Sequence, residues 1–237
     1  MEKASRVDQI LPYALFGMTS VTGMIDAVSF LGLGHVFTAN MTRNIAFLGF
    51  AAVGTPGLSA ARSSAAVIAF PIGALLGVRI VAGTTSASQL GRAVSAFGIE
   101  LAFLIAAMVI AIGYGGVPSQ QPGKVYALIC MTALAMGIRN ATVRKLAVQD
   151  LTTTVLTLTI AGLAADSSLA GGGNPRWQRR IGAVGSMFVG AALGASLLKH
   201  SLSLALSLCV VVSFICALVL FFSLRKDLQA QAEIQTR

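Results

Sequence analysis

Six stretches of this chain, about 11–33, 64–83, 92–114, 124–144, 179–199 and 202–223, are apolar and almost free of charge. Each is long enough, at about 20 residues, to cross the hydrocarbon core of a bilayer as a helix. That feature restricts the fold more than any other. In hydrocarbon a backbone has no water to bond, so it must satisfy its own amides and carbonyls, and a helix does this within one segment. The expected fold is therefore all-α, a polytopic membrane bundle forming one transmembrane domain over residues 1–237. Two shorter apolar stretches with polar heads, about 38–53 and 151–165, are expected as broken or re-entrant helices beside the six full spans.

Composition matters mainly for what it excludes. Only 11% of residues are charged while 56% are hydrophobic, whereas a soluble domain carries about 25% charged residues. The net charge of +9 would suit nucleic acid if it were concentrated. Instead the basic residues fall in short clusters between apolar runs, which is the pattern of topology-setting loops. The expected partner is the lipid bilayer, and nucleic acid is not expected. Cys130, Cys209 and Cys216 all lie inside apolar segments without metal-ligand spacing, so they read as small buried hydrophobes.

Tyr13, Tyr114, Tyr126 and Trp177 fall near the ends of the apolar runs, where amphipathic rings settle at the membrane surface. Pro118, Pro122 and "GGGNP" at 171–175 mark loops. The head "MEKASRVDQI" is polar, and no small-x-small site follows the first run, so that helix is expected to remain uncleaved. The tail over 224–237 reads as a polar helix outside the membrane.

The chain also resembles itself. "TGMIDA" at 22–27 lines up with "MGIRNA" at 136–141, and Thr38 with Thr152, at an offset of 114 residues. Further on, the offset becomes 117, where Arg62, Ala66, Val67, Gly73, Ala74, Leu76 and Gly77 match Arg179, Ala183, Val184, Gly190, Ala191, Leu193 and Gly194. The expectation is an internal two-fold repeat, with halves at about 11–114 and 124–223. Each half runs long span, short polar-headed segment, span, span.

Basic residues test the topology. If the two short segments dip in and return, one side holds Lys3, Arg6, Arg79, Arg92, Arg144, Lys145, Arg176, Arg179, Arg180, Arg225 and Lys226. The other side then holds only Arg62, Lys124 and Lys199. The bias favours six spans with both termini cytoplasmic. Three crossings per half would make the repeats inverted, as in many secondary transporters. The alternative, in which all eight segments cross, gives a weaker bias and moves Arg144 and Lys145 outside.

Polar groups inside the apolar runs are the candidate functional residues. An arginine at mid-bilayer costs at least about 2.5–3.5 kcal/mol and needs a partner or water. "FTANMTRN" at 37–44 sets Thr38, Asn40, Arg43 and Asn44 together, with Asp26 just upstream. Counted from residue 38, Arg43 and Asn44 sit six or seven residues into a short helix, and Asn40 and Asn44 are one turn apart on a shared face. The second half offers Arg139, Asn140, Thr153 and Thr157, with Asn140 at the place of Asp26. These residues are expected to line one substrate site. For the threonines, back-bonding to the carbonyl four residues earlier is the plainer explanation. Glu100 is a candidate proton carrier, a counter-ion for Arg43 or Arg139, or a group at a water-filled mouth. Two acids and two arginines that cancel pairwise would be the simplest structural account of all four.

Gly73-x-x-x-Gly77 and Gly190-x-x-x-Gly194 read as faces for close helix packing, and Pro71 reads as a kink. His35 and His200 are isolated, and no nucleotide-binding glycine loop, H-E-x-x-H or Gly-x-Ser-x-Gly is present. No enzyme activity, cofactor or metal site is expected.

"GMIDAVSFLGLGHVFTANMTRNIAFLGFA" and "IRNATVRKLAVQDLTTTVLTLTIAGLAADS" resemble, in the same order, the YoaK family of small bacterial multi-pass membrane proteins. The resemblance runs over about residues 10–223. It implies an inner-membrane protein with about six spans, and it brings no substrate, cofactor or catalytic residue. The family pattern has Thr-Gly-Asn where this chain has Thr42, Arg43 and Asn44, so the arginine alters the charge at that point.

Two function classes follow. The first is a small-solute transporter or permease-like protein with a polar midplane site between two repeats, its arginines suiting a small anion or a zwitterion. The second is a non-transporting membrane scaffold or sensor that uses the polar cluster as glue and the glycine faces for homo-oligomer formation.

Overall fold

The computed structural model describes residues 6–82, 86–146, 156–175 and 177–235. Among these, eight α-helices and one 3-10 turn carry the fold. The helices are α1 (Arg6–Gly32), α2 (Met41–Ala52), α3 (Ala60–Val81), α4 (Ser86–Ile110), α5 (Pro122–Lys145), α6 (Leu156–Ala165), α7 (Trp177–Leu198) and α8 (Leu202–Gln235). Six are long and apolar enough to span a bilayer: all but α2 and α6. The spans lie within a few residues of the expected ones. The tail continues α8 without a break to Gln235.

The core fixes the direction of each helix. One end of the bundle joins Val21–Val28 of α1, Ala66 of α3, Leu104–Ala111 at the end of α4, Val125–Met136 of α5 and Leu202–Cys209 of α8. The other end joins Ala14–Met18 of α1, Val81 of α3, Ala93–Phe97 of α4, Ile138–Val143 of α5, Ala183 of α7 and Cys216–Leu220 of α8. So α1, α4 and α7 run one way, while α3, α5 and α8 run the other. The six long helices among the described residues therefore alternate in direction, and the N-terminus of α1 and the C-terminus of α8 lie on one face.

The break after α1 shows why α2 does not cross. Gly34 and His35 adopt positive φ of 88° and 60°, and the His35 amide donates back to the Phe30 carbonyl at 3.0 Å, closing the helix in a left-handed cap. A glycine accommodates this turn without strain, and there is no room for more, because the Arg62 guanidinium lies against Gly34. The chain then doubles back until Asn40 meets Asp26, six residues inside the end of α1. From there α2 climbs outward, with Phe47 beside Phe30. His35 Nδ1 meets the Gly57 carbonyl at 3.3 Å on the starting face, and Ser59 then caps α3 by accepting from the Arg62 amide. The segment between α1 and α3 is a re-entrant hairpin.

Helix pairing has a regularity of its own. α1 packs on α7 as α5 packs on α3, α1 on α8 as α5 on α4, α2 on α3 as α6 on α7, and α3 on α4 as α7 on α8. The glycines repeat it in detail. Gly73 and Gly77 lie against the backbone of Leu134 and Ile138, and Gly137 lies between Phe70 and Ala74. Gly190 and Gly194 lie against Ser20 and Met24, and Gly23 lies between Met187 and Ala191. Both small-residue faces are therefore used inside the protomer, for the backbone approach expected of them.

Single cysteines placed at Arg62 and at Lys145, in a chain whose own cysteines are replaced by alanine, test the six-crossing path. A membrane-impermeant maleimide should reach Lys145→Cys from the face of the termini and Arg62→Cys only from the opposite face. Labelling of Arg62→Cys from the terminal face would mean that α2 crosses.

Candidate functional site

Two polar groups lie inside the bundle, and α1 contributes to both. Thr19, Thr22, Asp26 and Ser29 recur every three or four residues, so they line one side of the helix, and all four are buried.

The first group surrounds Arg139, whose side chain is wholly buried. One guanidinium nitrogen donates to the Met18 carbonyl at 2.9 Å and approaches Thr22 Oγ1 at 3.5 Å. The other donates to Glu100 Oε1 and to Ser213 Oγ at 2.8 Å. Glu100 is 1% exposed, so this ion pair is closed to water. Arg139 comes from α5, Met18 and Thr22 from α1, Glu100 from α4 and Ser213 from α8. One side chain thus fastens four helices. The planar fork of arginine suits this task, since it offers several donors in fixed directions.

The second group is the break between α1 and α2. The Asn40 amide donates to Asp26 Oδ2, and the Ala39 amide and the Arg43 charge also act on that carboxylate. Asn44 turns back across the loop: the Phe37 N–H donates to its Oδ1 at 2.9 Å, and its own amide donates to the Phe37 carbonyl. One buried side chain therefore satisfies both backbone groups of a residue with no helix to join, as a membrane interior demands. Arg43 is exposed, with its guanidinium carbon 4.7 Å from the centre of the Phe37 ring. Phe37 in turn stacks on Phe30 at 5.0 Å and neighbours Phe47 at 5.9 Å. The cation sits on an aromatic face rather than in bare lipid.

Four buried polar atoms in these groups have no hydrogen-bond partner: Asp26 Oδ1 and Thr38 Oγ1 at the break, and Glu100 Oε2 and Arg139 Nε at the hub. Buried polar atoms are nearly always paired, so each calls for an explanation.

The residues expected to line one site divide between these groups. Asp26, Thr38, Asn40, Arg43 and Asn44 gather at the break, and Arg139 and Glu100 at the hub. Thr22 and Asp26 connect the two along α1, about 6 Å apart by helical rise. Asn140 donates to the Met136 carbonyl of its own helix at 2.8 Å. Thr157 is exposed on α6, and Thr153 lies outside the described residues.

Two expectations need correction. α2 starts at Met41, so Arg43 and Asn44 are its third and fourth residues, not its sixth and seventh. Asn40 precedes the helix and reaches Asp26 while Asn44 reaches Phe37, so the two amides do not share a face. The cause is local: Asp26 and the Phe37 backbone compete better for these amides than an extra helical turn does.

Sequence reasoning did not single out Thr22, Ser213 or the Met18 carbonyl. Thr22 was detectable, since it stands one turn before Asp26. Ser213, a lone serine in an apolar helix, carries no such signal. Thr19, Thr132 and Thr142 donate to the carbonyls four residues earlier, as isolated threonines in apolar helices tend to do.

A family model described as protein of unknown function (DUF1275) matches residues 14–219. The UPF0700 transmembrane protein YoaK of Bacillus subtilis (strain 168) is 32% identical over 146 residues. That alignment covers 62% of this chain and 62% of the relative's own length. No solved structure matches.

Replacing Asn44 with alanine should strand the Phe37 N–H and carbonyl, at a cost of about 1–3 kcal/mol for each group. Hydrogen exchange should then accelerate across residues 33–40 while the centres of α5 and α8 exchange as before. Unchanged exchange at Phe37 would mean that Asn44 does not hold the break.

Proposed function

The chain belongs to the DUF1275 family, and from its own architecture we propose that it is a permease-like carrier of a small solute rather than an enzyme. Its place is the bacterial plasma membrane, with both termini in the cytoplasm. The observation behind this reading is the pairing of two oppositely running halves. Helices α1–α4 and α5–α8 pack through the same set of contacts in exchanged roles, and each set includes a short helix, α2 of 12 residues and α6 with 10 described residues. Inverted halves with broken segments, carrying polar groups at membrane depth, are a recurrent design of secondary transporters. The excess of Arg and Lys on the face of the termini supports the orientation.

The solute we propose is a small anion or a zwitterion. The exposed Arg43 and the start of α2, which has no side-chain cap, together offer positive charge and free amides at the break. Arg139 does not compete for that role, because Glu100 already balances its charge. In this reading the Arg139 hub holds α1, α4, α5 and α8 together, while α2 and α6 contribute no hydrogen bond to it. The scaffold alternative has less support, since the glycine faces it needs for oligomer formation are occupied within the protomer.

Purified protein in liposomes, supplied in turn with radiolabelled inorganic anions, short carboxylates and amino acids, tests the proposal. At least one compound should enter faster than into protein-free vesicles. Arg43→Ala should lower that rate by at least about tenfold, equivalent to roughly 1.4 kcal/mol of lost binding, with the variant still in the membrane. Absence of uptake for the whole panel would overturn the carrier reading, and full uptake by Arg43→Ala would remove Arg43 from the site.

A further inference from the structure

The Asp26 carboxylate poses a problem that neither its neighbours nor the solute reading solves. Oδ2 is held by Asn40, yet Oδ1 has no partner, although Asp26 is only 5% exposed. Thr38, two residues before Asn40 and wholly buried, also has an unpartnered side-chain oxygen. Two buried oxygens, one of them on a carboxyl group, thus lie where the backbone that has left α1 returns toward it. Unwound backbone at a broken helix is also where transporters coordinate a coupling ion.

We propose that the break between α1 and α2 binds a dehydrated monovalent alkali cation, sodium or lithium, through Asp26 Oδ1 and Thr38 Oγ1. The charge count sets the valence. One carboxylate balances one positive charge, whereas calcium and magnesium sites gather several carboxylate or phosphate oxygens. No group of three His, Cys, Asp or Glu side chains able to hold a metal occurs among the described residues.

Size sets the choice within the alkali series. A water-sized sphere does not reach either oxygen. Sodium and lithium ions approach oxygen more closely than water does, whereas potassium does not. The principle that cavity size sorts ions in a filter applies here to a single site. Arg43 is the charged neighbour that acts on Asp26. It lies exposed over Phe37, so its charge opposes the bound ion and moderates its affinity instead of filling the site.

The assignment deepens the carrier reading by naming a coupling ion and rests on that reading for its role. The experiment reads binding rather than flux, so the two can fail separately. The full-length protein in detergent is heated in sodium, lithium, potassium or choline chloride at equal ionic strength. Sodium or lithium should raise the unfolding temperature above its value in choline, increasing with the logarithm of concentration above saturation, and potassium should do so less. Asp26→Asn and Thr38→Val should each abolish the increment. Arg43→Gln should lower the half-saturating sodium concentration roughly fivefold, the effect of removing one nearby positive charge.

The same unfolding temperature in sodium, lithium and choline for the unaltered protein would overturn the proposal, whether or not the variants fold. An increment that survives Asp26→Asn would overturn it too. A stabilisation by sodium that Asp26→Asn removes supports the site even if no solute is found to move.

Discussion

The bundle depends on an arginine that hydrocarbon would not accept alone. Arg139 projects from α5 into a core where nothing but protein can meet it, and its charge is balanced by Glu100 of α4. The Met18 carbonyl, Thr22 and Ser213 accept from its two terminal nitrogens, so α1, α4, α5 and α8 must lie at one mutual register. Apolar packing between helices in a membrane gives weak preference for any one register, since lipid tails are as apolar as leucine. A buried ion pair is different. As a net contribution to stability it is modest, but separating its partners is costly. The pair therefore selects one arrangement of the four central helices, while α3 and α7 pack through glycines onto α5 and α1.

From that hub a line of polar residues follows α1 outward through Thr22 to Asp26, where the chain breaks and doubles back. The break is stable because Asn44 supplies what a helix would have supplied to Phe37, and because Asn40 and Arg43 act on the Asp26 carboxylate. A second ion pair, between Arg180 and Asp166 at 2.7 Å, fastens the end of α6 to the start of α7. Each half thus closes its short helix with a charged contact, but with different chemistry. In the first half the acid is buried and half satisfied, whereas in the second Asp166 is 43% exposed and directly paired. Among the described residues, the unsatisfied oxygens Asp26 Oδ1 and Thr38 Oγ1 lie at the break between α1 and α2, which is where the candidate site is placed.

Much of this architecture was legible in the sequence. The long apolar runs gave the spans, because length and hydropathy are all that a crossing requires. The clustering of arginine and lysine favoured six crossings, and the helix directions agree. The glycine pairs announced close packing because only a missing side chain permits it. The pairing of Glu100 with Arg139 was one of three roles left open for that acid. What could not be read was the position of the polar residues of "FTANMTRN" relative to one another. A one-turn spacing implies a shared face only inside a helix, and the helix starts three residues after Thr38. The fastening of Arg139 to a backbone carbonyl was equally invisible, since any residue can provide one.

The central claim is that Arg139 and Glu100 form one buried unit on which the four inner helices depend. A double-mutant cycle measures it directly, using unfolding of the unaltered protein, Arg139→Met, Glu100→Met and the double variant. Each single variant leaves a charge buried without its partner and should lose about 3–5 kcal/mol, while the double variant should recover most of that loss. If the two losses simply add, the residues are not coupled, and the bundle is held together by something else.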